Sequence, residues 1–223
     1  MKQILCFGDS NTYGLIPGTK DRYDWDTRWS GRIGQRLWED GCRIVEEGLC
    51  GRTTVFDDPL RDGRRGTELL SVILETHKPV DVVVLMLGTN DCKTVYDASA
   101  EVIGRGVERL LDQIRSSAPD SKVLLMSPIA LGEGVGEEGY DPEFDESSVA
   151  VSKWLPDVYR RIAHERGISF LAASEYAKPS TADREHMNEE GHAALAEAVY
   201  VKLKEMLTGE KENAQKERKE YVG

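Results

Sequence analysis

No stretch of this 223-residue chain stays apolar for the roughly 20 residues that a membrane-spanning helix needs, so no membrane insertion is expected. Basic residues are the minority charge. Lys and Arg number 29 against 40 Asp and Glu, a net −11, which argues against nucleic acid or an anionic membrane as partner. Cysteine is scarce, and Cys6, Cys42, Cys50 and Cys92 show no paired metal-ligand spacing. Free thiols in a reducing cytoplasm are expected, with no metal and no other cofactor. A single lysine precedes the first apolar run, too little for a secretory signal, and this also points to the cytoplasm. Internal repeats and an interdomain linker are absent as well. The expectation is one domain over residues 1–208, for which 39% hydrophobic residues suffice. Residues 209–223, with four acids, four bases and almost nothing apolar, read as a charged tail, solvated or partly helical.

What is present is alternation. Short apolar runs at Ile4–Phe7, Cys42–Val45, Val80–Leu87, Lys122–Met126 and Ile168–Leu171 read as five strands. The third is the most apolar, with four valines, and suits a central strand buried on both faces. Between and after them, helical spacing predicts helices over Trp29–Asp40, Thr67–His77, Ala98–Ser117, Val149–Arg166 and Asn188–Leu207. Strands alternating with helices imply a parallel sheet covered on both faces, an α/β sandwich of three layers, α/β/α.

In such sheets ligands bind beyond the carboxyl ends of the strands. The first strand stops there at Gly8-Asp9-Ser10, a tight turn that would leave a hydroxyl beside the free N–H groups of a helix start. Ser10 is either a nucleophile or only the cap of that helix. Three further stretches lie just past strand ends. Gly51 follows the second strand, and its N–H is open to approach unless it merely makes a turn. Asn90 follows the third, with an amide that either serves a ligand or bonds the loop backbone. Asp183 precedes His186 by three residues, a spacing that turns a carboxylate back onto one ring nitrogen, or else makes an ordinary surface pair. His192 lies on the last helix and reads as a structural or surface residue. Four such residues at four strand ends are hard to explain by accident.

In order, these blocks resemble a GDSL-type esterase of the SGNH hydrolase family. Gly8-Asp9-Ser10 is similar to its nucleophile block, Gly48-Leu49-Cys50-Gly51-Arg52-Thr53 to its second, Gly88-Thr89-Asn90-Asp91 to its third and Asp183 to His186 to its D-x-x-H block. The match runs from residue 4 to about 207, and Phe7–Gly14 and Glu46–Thr54 resemble most the cytoplasmic arylesterase and acyltransferase branch. The resemblance implies the flavodoxin-like SGNH hydrolase fold, a five-stranded parallel sheet, and a carboxylic ester hydrolase acting on small-molecule esters of short acyl chains. Homo-oligomers through the loops are frequent in such folds. Two positions depart from the pattern. Cys50 stands where related members often carry Ser, and Leu15 replaces an aromatic residue of some acyl-transferring members, which favours hydrolysis over transfer.

The residue types supply the chemistry. A serine hydroxyl needs an adjacent base, and His186 can take and return its proton. Asp183 would hold the imidazole's tautomer, and the backbone N–H groups of Ser10 and Gly51 with the Asn90 amide would form the oxyanion hole. A carbohydrate acetylesterase, a thioesterase or an acyltransferase would use the same site. From another class, a non-catalytic flavodoxin-like protein binding phosphate or flavin at Ser10–Gly14 would leave Asn90, Asp183 and His186 without a task. Leu131–Ser148, with seven acids, four glycines and no base, reads as an irregular loop on the same side of the sheet, a lid or rim that disfavours anionic substrates. Arg61–Arg65 would either pair with it or never meet it.

Overall fold

The computed structural model describes residues 1–220, with side chains through Thr208. Five parallel strands, β1 (Lys2–Gly8), β2 (Cys42–Gly48), β3 (Val82–Met86), β4 (Lys122–Ser127) and β5 (Ser169–Ala172), pair in the order β2-β1-β3-β4-β5. This is the flavodoxin-like order, and the chain reverses direction across the sheet between β1 and β3. Register brings Gly8 level with Gly48 and Met86, so the first, second and third strands end together.

Side chains alternate across the pleat and divide the core in two. Leu5, Phe7, Val83, Leu85 and Leu125 face the helices α3 (Gly66–Thr76), α4 (Ala100–Ser117) and α5 (Glu146–Arg166). Ile4, Cys6, Val84, Met86 and Met126 face α2 (Trp29–Trp38) and α6 (Glu189–Glu220). The three-layer expectation therefore holds, and β3 is buried along its whole length.

Several boundaries move for physical reasons. β2 runs on to Gly48, beyond the apolar run that ends at Val45, because backbone pairing with β1 continues under Glu46 and Glu47. Glu46 is tolerated there because Arg28 donates to it at 3.0 and 2.7 Å. α5 starts at Glu146, where Asp145 and Ser148 cap each other's backbone N–H groups. α6 does not stop at Leu207 but continues as helix to Glu220. The expectation of a solvated tail lies outside the described residues for 221–223 and for side chains from 209 onward.

The acidic stretch is less free than its composition suggests. Leu131, Val135 and Phe144 are buried in the core. Glu143 binds Lys93 at 2.7 Å and Arg61 at 3.3 Å, so the loop carrying Arg61 does meet it. Among the described residues, no helix is long and apolar enough to cross a membrane.

Candidate active site

The turn after β1 is built for close approach. A Cβ on Gly8 would fall on the Thr12 side chain and against the Met86 carbonyl, and one on Gly48 would fall on the Tyr13 backbone. Without those side chains the four-residue helix α1 (Ser10–Tyr13) packs directly onto the strand ends. Asp9 caps it by accepting from the Asn11 N–H at 3.0 Å, so Ser10 is not the cap.

Ser10 is almost wholly buried, and its hydroxyl donates to His186 Nε2 at 2.8 Å. On the far side of the ring, His186 Nδ1 donates to Asp183 Oδ2 at 2.8 Å. Asp183 also accepts from the backbone N–H groups of Gly18, Glu185 and His186 at 2.9, 3.0 and 2.9 Å. Burial works against its charge, but the bonds from His186 outweigh it and hold the carboxyl below its ordinary range. For His186 burial likewise opposes the charged form, yet the Glu185 and Asp183 carboxylates prevail and push it up to about 8.

Gly51 adopts φ +82°, and among the described residues its N–H meets no acceptor. The Arg61 guanidinium lies over its α-carbon, about 3.0 Å from where a Cβ would stand. Asn90 is buried in a short turn after β3 and donates one amide hydrogen to the Arg52 carbonyl at 3.2 Å, which leaves the second. The first amides of a helix lack partners within it, and Ser10 opens α1. The structure thus brings Ser10, His186 and Asp183 into one bonded series and sets Gly51 and Asn90 at neighbouring strand ends.

Four residues here were given no role by sequence reasoning. Asn11 fastens the Ser10 turn to the His186 loop, accepting from the Met187 N–H at 3.0 Å and donating to the Glu185 carbonyl at 3.4 Å. Asp91 accepts from the Thr54 N–H at 3.0 Å and from its hydroxyl at 2.5 Å, fixing the Gly51 loop to the Asn90 turn. The Arg52 guanidinium donates to the Gly8 carbonyl at 2.8 Å and also to that of Glu47. Glu185 is buried beside the imidazole. Only Asn11, polar and directly after Ser10, carried a local hint. His192 is fully buried rather than on the surface, its Nδ1 accepting from the Trp29 N–H at 3.4 Å. Among the described residues, no three His, Cys, Asp or Glu side chains form a metal-sized group.

With this geometry in hand, a family model supplies the assignment. The GDSL-like lipase/acylhydrolase model matches residues 6–194, from β1 into α6. The chain belongs to the GDSL-like lipase/acylhydrolase family. Est24, a carbohydrate acetylesterase from Sinorhizobium meliloti, is 32% identical over 92% of this chain and 100% of its own, with a TM-score of 0.85. The inhibitor-bound aryl esterase of M. smegmatis is 31% identical over 92% of this chain and 99% of its own, with a TM-score of 0.87. A further solved structure is 44% identical over 93% and 99%, again at 0.87. No curated protein matches the chain. As a GDSL-like acylhydrolase the chain is an ester hydrolase of the serine type, as the resemblance implied.

Proposed function

We propose that this GDSL-like acylhydrolase cleaves short-chain carboxylic esters through an acyl-enzyme on Ser10. The observation that carries the reading is the bonded series Ser10 Oγ–His186 Nε2–Asp183 Oδ2, with 2.8 Å at each link. His186 Nε2 takes the hydroxyl proton as Ser10 Oγ bonds to the ester carbonyl carbon. Negative charge on the carbonyl oxygen is met by the N–H groups of Ser10 and Gly51 and by the free amide hydrogen of Asn90. The intermediate collapses when His186 returns the proton to the leaving alcohol oxygen, and the acyl group stays on Ser10. Water then enters at Nε2, gives up a proton, attacks the acyl carbonyl, and the acid departs as Ser10 recovers its hydrogen. Asp183 holds the ring and stabilises its charged form throughout.

The reacting groups are nearly all buried, which favours small acyl chains. An acetylated carbohydrate, an aryl ester, a thioester or an acceptor alcohol would meet the same atoms. In this reading residues 1–208 form the catalytic domain, working in the cytoplasm, and residues 209–223 are an appended charged segment.

The test pairs Ser10→Ala with a fluorophosphonate label and a series of p-nitrophenyl esters from acetate to octanoate, with and without an alcohol acceptor. Loss of labelling and of about 10⁴-fold or more in kcat, with rates highest for acetate, is the expected result. Equal labelling of the variant would assign the nucleophile elsewhere, and a bound flavin spectrum with no turnover would favour the binding-protein alternative.

A further inference from the structure

Glu185 stands directly before His186, is 7% exposed, and turns its carboxyl toward the reacting groups, Oε1 lying 3.6 Å from His186 Nε2. Its backbone is fixed on both sides, the N–H on Asp183 and the carbonyl on Asn11. Among the described residues, no hydrogen-bond donor reaches the carboxyl itself. The carboxyl oxygens are not sealed from solvent, so a carboxylate held beside the imidazole with no donor on it is open to a ligand.

The charges around it sharpen the point. The groups acting on Glu185 are His186 and Asp183 from its own loop, Asp9 from the turn after β1, and Asp141 from the acidic loop. Cations of this loop and of the loops that meet the acidic stretch are already committed. Arg61 is bound by Asp58 at 2.8 Å and Glu143 at 3.3 Å, Lys93 by Glu143 at 2.7 Å, and Arg184 by Glu137 at 2.7 Å. Arg52 donates from Nη1 to two backbone carbonyls, and among the described residues its buried Nε has no hydrogen-bond partner. Among the described residues, the cation facing this carboxyl is therefore His186 itself, and only when its ring is protonated.

Position decides which part of a substrate meets it. His186 Nε2 must stand within hydrogen-bond reach, roughly 2.6–3.2 Å, of the leaving oxygen it protonates. A carboxyl beside that same nitrogen borders the alcohol half of the ester, while the acyl half lies toward Ser10 and the oxyanion donors. We propose that Glu185 forms a leaving-group subsite selecting esters whose alcohol carries a cationic nitrogen about two carbons from the ester oxygen. This rests on the Ser10 hydrolase reading and adds a substrate class to it. Burial pushes the Glu185 carboxyl up to about 7, so the subsite is charged on the alkaline side of neutrality, and an ammonium group would hold it ionised.

The experiment compares 2-(trimethylammonio)ethyl acetate with 3,3-dimethylbutyl acetate, equal in shape and differing in charge, at about pH 8.5. The expected kcat/KM ratio favours the cationic ester by about tenfold or more, the size of one coulombic contact at a partly desolvated site. In Glu185→Gln the ratio falls toward one. Both esters use the same Ser10 chemistry, so any general loss of rate divides out. If that variant does not fold, choline and 3,3-dimethylbutanol are compared as competitive inhibitors of p-nitrophenyl acetate hydrolysis by the unaltered enzyme, with choline expected to bind about tenfold tighter. A ratio of one in the unaltered enzyme, an undiminished preference for the cationic ester in Glu185→Gln, or choline binding no tighter than 3,3-dimethylbutanol would overturn the subsite. Failure of every ester together with an unlabelled Ser10 would instead overturn the hydrolase reading.

Discussion

The two halves that meet at the Ser10–His186 bond are made differently. On the nucleophile side the polar groups knit neighbouring strand ends: Asp9 caps α1, Arg52 binds the Gly8 carbonyl, Asp91 holds Thr54 and Asn90 reaches the Arg52 carbonyl. On the base side, the loop that leads into α6 is held by three separate segments. Gly18 donates to Asp183, Asn11 bonds across His186, and the Gly132 N–H donates to the Arg184 carbonyl at 2.7 Å. That loop also carries Arg184 at φ +62° and the Glu185 carboxyl, which faces His186 at 3.6 Å. One half takes its precision from the sheet. The other is assembled from distant parts and holds local strain and a buried charge at the point where the proton moves.

The largest effect should come from the nucleophile side. In the proposed mechanism Asn90→Ala removes a donor to the developing oxyanion, a change that costs about 2.7–4 kcal/mol of barrier in comparable sites. Steady-state kinetics should show kcat lowered by roughly 10²–10³-fold while circular dichroism stays native. A kcat near that of the parent would remove Asn90 from the oxyanion hole, and with it the claim that this half is shaped for the transition state.

On the base side the effect is smaller and depends on pH. With His186 as the proposed base, only its neutral form can accept the Ser10 proton, so kcat/KM should rise with pH through a midpoint near about 8, the value to which its carboxylates raise it. Glu185→Gln should move that midpoint down toward the ordinary imidazole value of about 6.5, stopping short because Asp183 remains. Stability should change in the opposite sense. Burial raises Glu185 from 4.5 to about 7, so the folded state binds its proton more tightly than the unfolded chain does. The penalty is absent well below pH 4.5, grows through that window, and stands in full above about 7. His186, raised from 6.5 to about 8, stabilises the fold below 6.5 and loses that contribution as pH rises through 8. At about pH 8.5 the compensating attraction is therefore largely gone, and Glu185→Gln should stabilise the protein by about 1–2 kcal/mol in urea unfolding. No gain at that pH, or an equal gain at pH 4, would mean that the carboxyl is not under tension.

This contrast also explains what could be read from the chain beforehand. Ser10 and Asn90 stand out because each lies three residues past an apolar run, and Gly51 because it follows the second run across a short loop; a strand's end is a local signal. Asp183 and His186 are found by their own short spacing. Asn11 and Met187, 176 residues apart, are linked only by the fold, so nothing local announces their bond. Glu185 sits in an Arg-Glu-His run that composition assigns to solvent, and its burial follows from packing by the acidic loop. That loop in turn hides Leu131, Val135 and Phe144, separated by four and then nine residues, so no period is sustained and its glycines and acids conceal a packed segment. The capping pair Asp145 and Ser148 was legible as a helix start three residues earlier than the apolar pattern suggests.

The smallest effect tests whether the base-side strain is needed. Arg184 holds a left-handed backbone that costs a residue with a Cβ about 1–2 kcal/mol. Its side chain answers with a bond to Glu137 at 2.7 Å and a place 4.0 Å over the Tyr140 ring. Glu137 is 66% exposed, so that ion pair is worth little, under about 1 kcal/mol. Arg184→Gly relieves the backbone, frees the unfolded chain and loses the clamp, three small terms of mixed sign. The expected sum is a change in unfolding free energy under about 1 kcal/mol, toward greater stability. If the clamp only offsets strain, kcat will follow stability and hardly move. If it also holds Asp183 and His186 in line, kcat will fall several-fold while the protein becomes no less stable, and the pH profile will keep its midpoint because both carboxylates remain beside the ring. A loss of stability beyond about 2 kcal/mol would show instead that the acidic loop is anchored mainly through this one side chain.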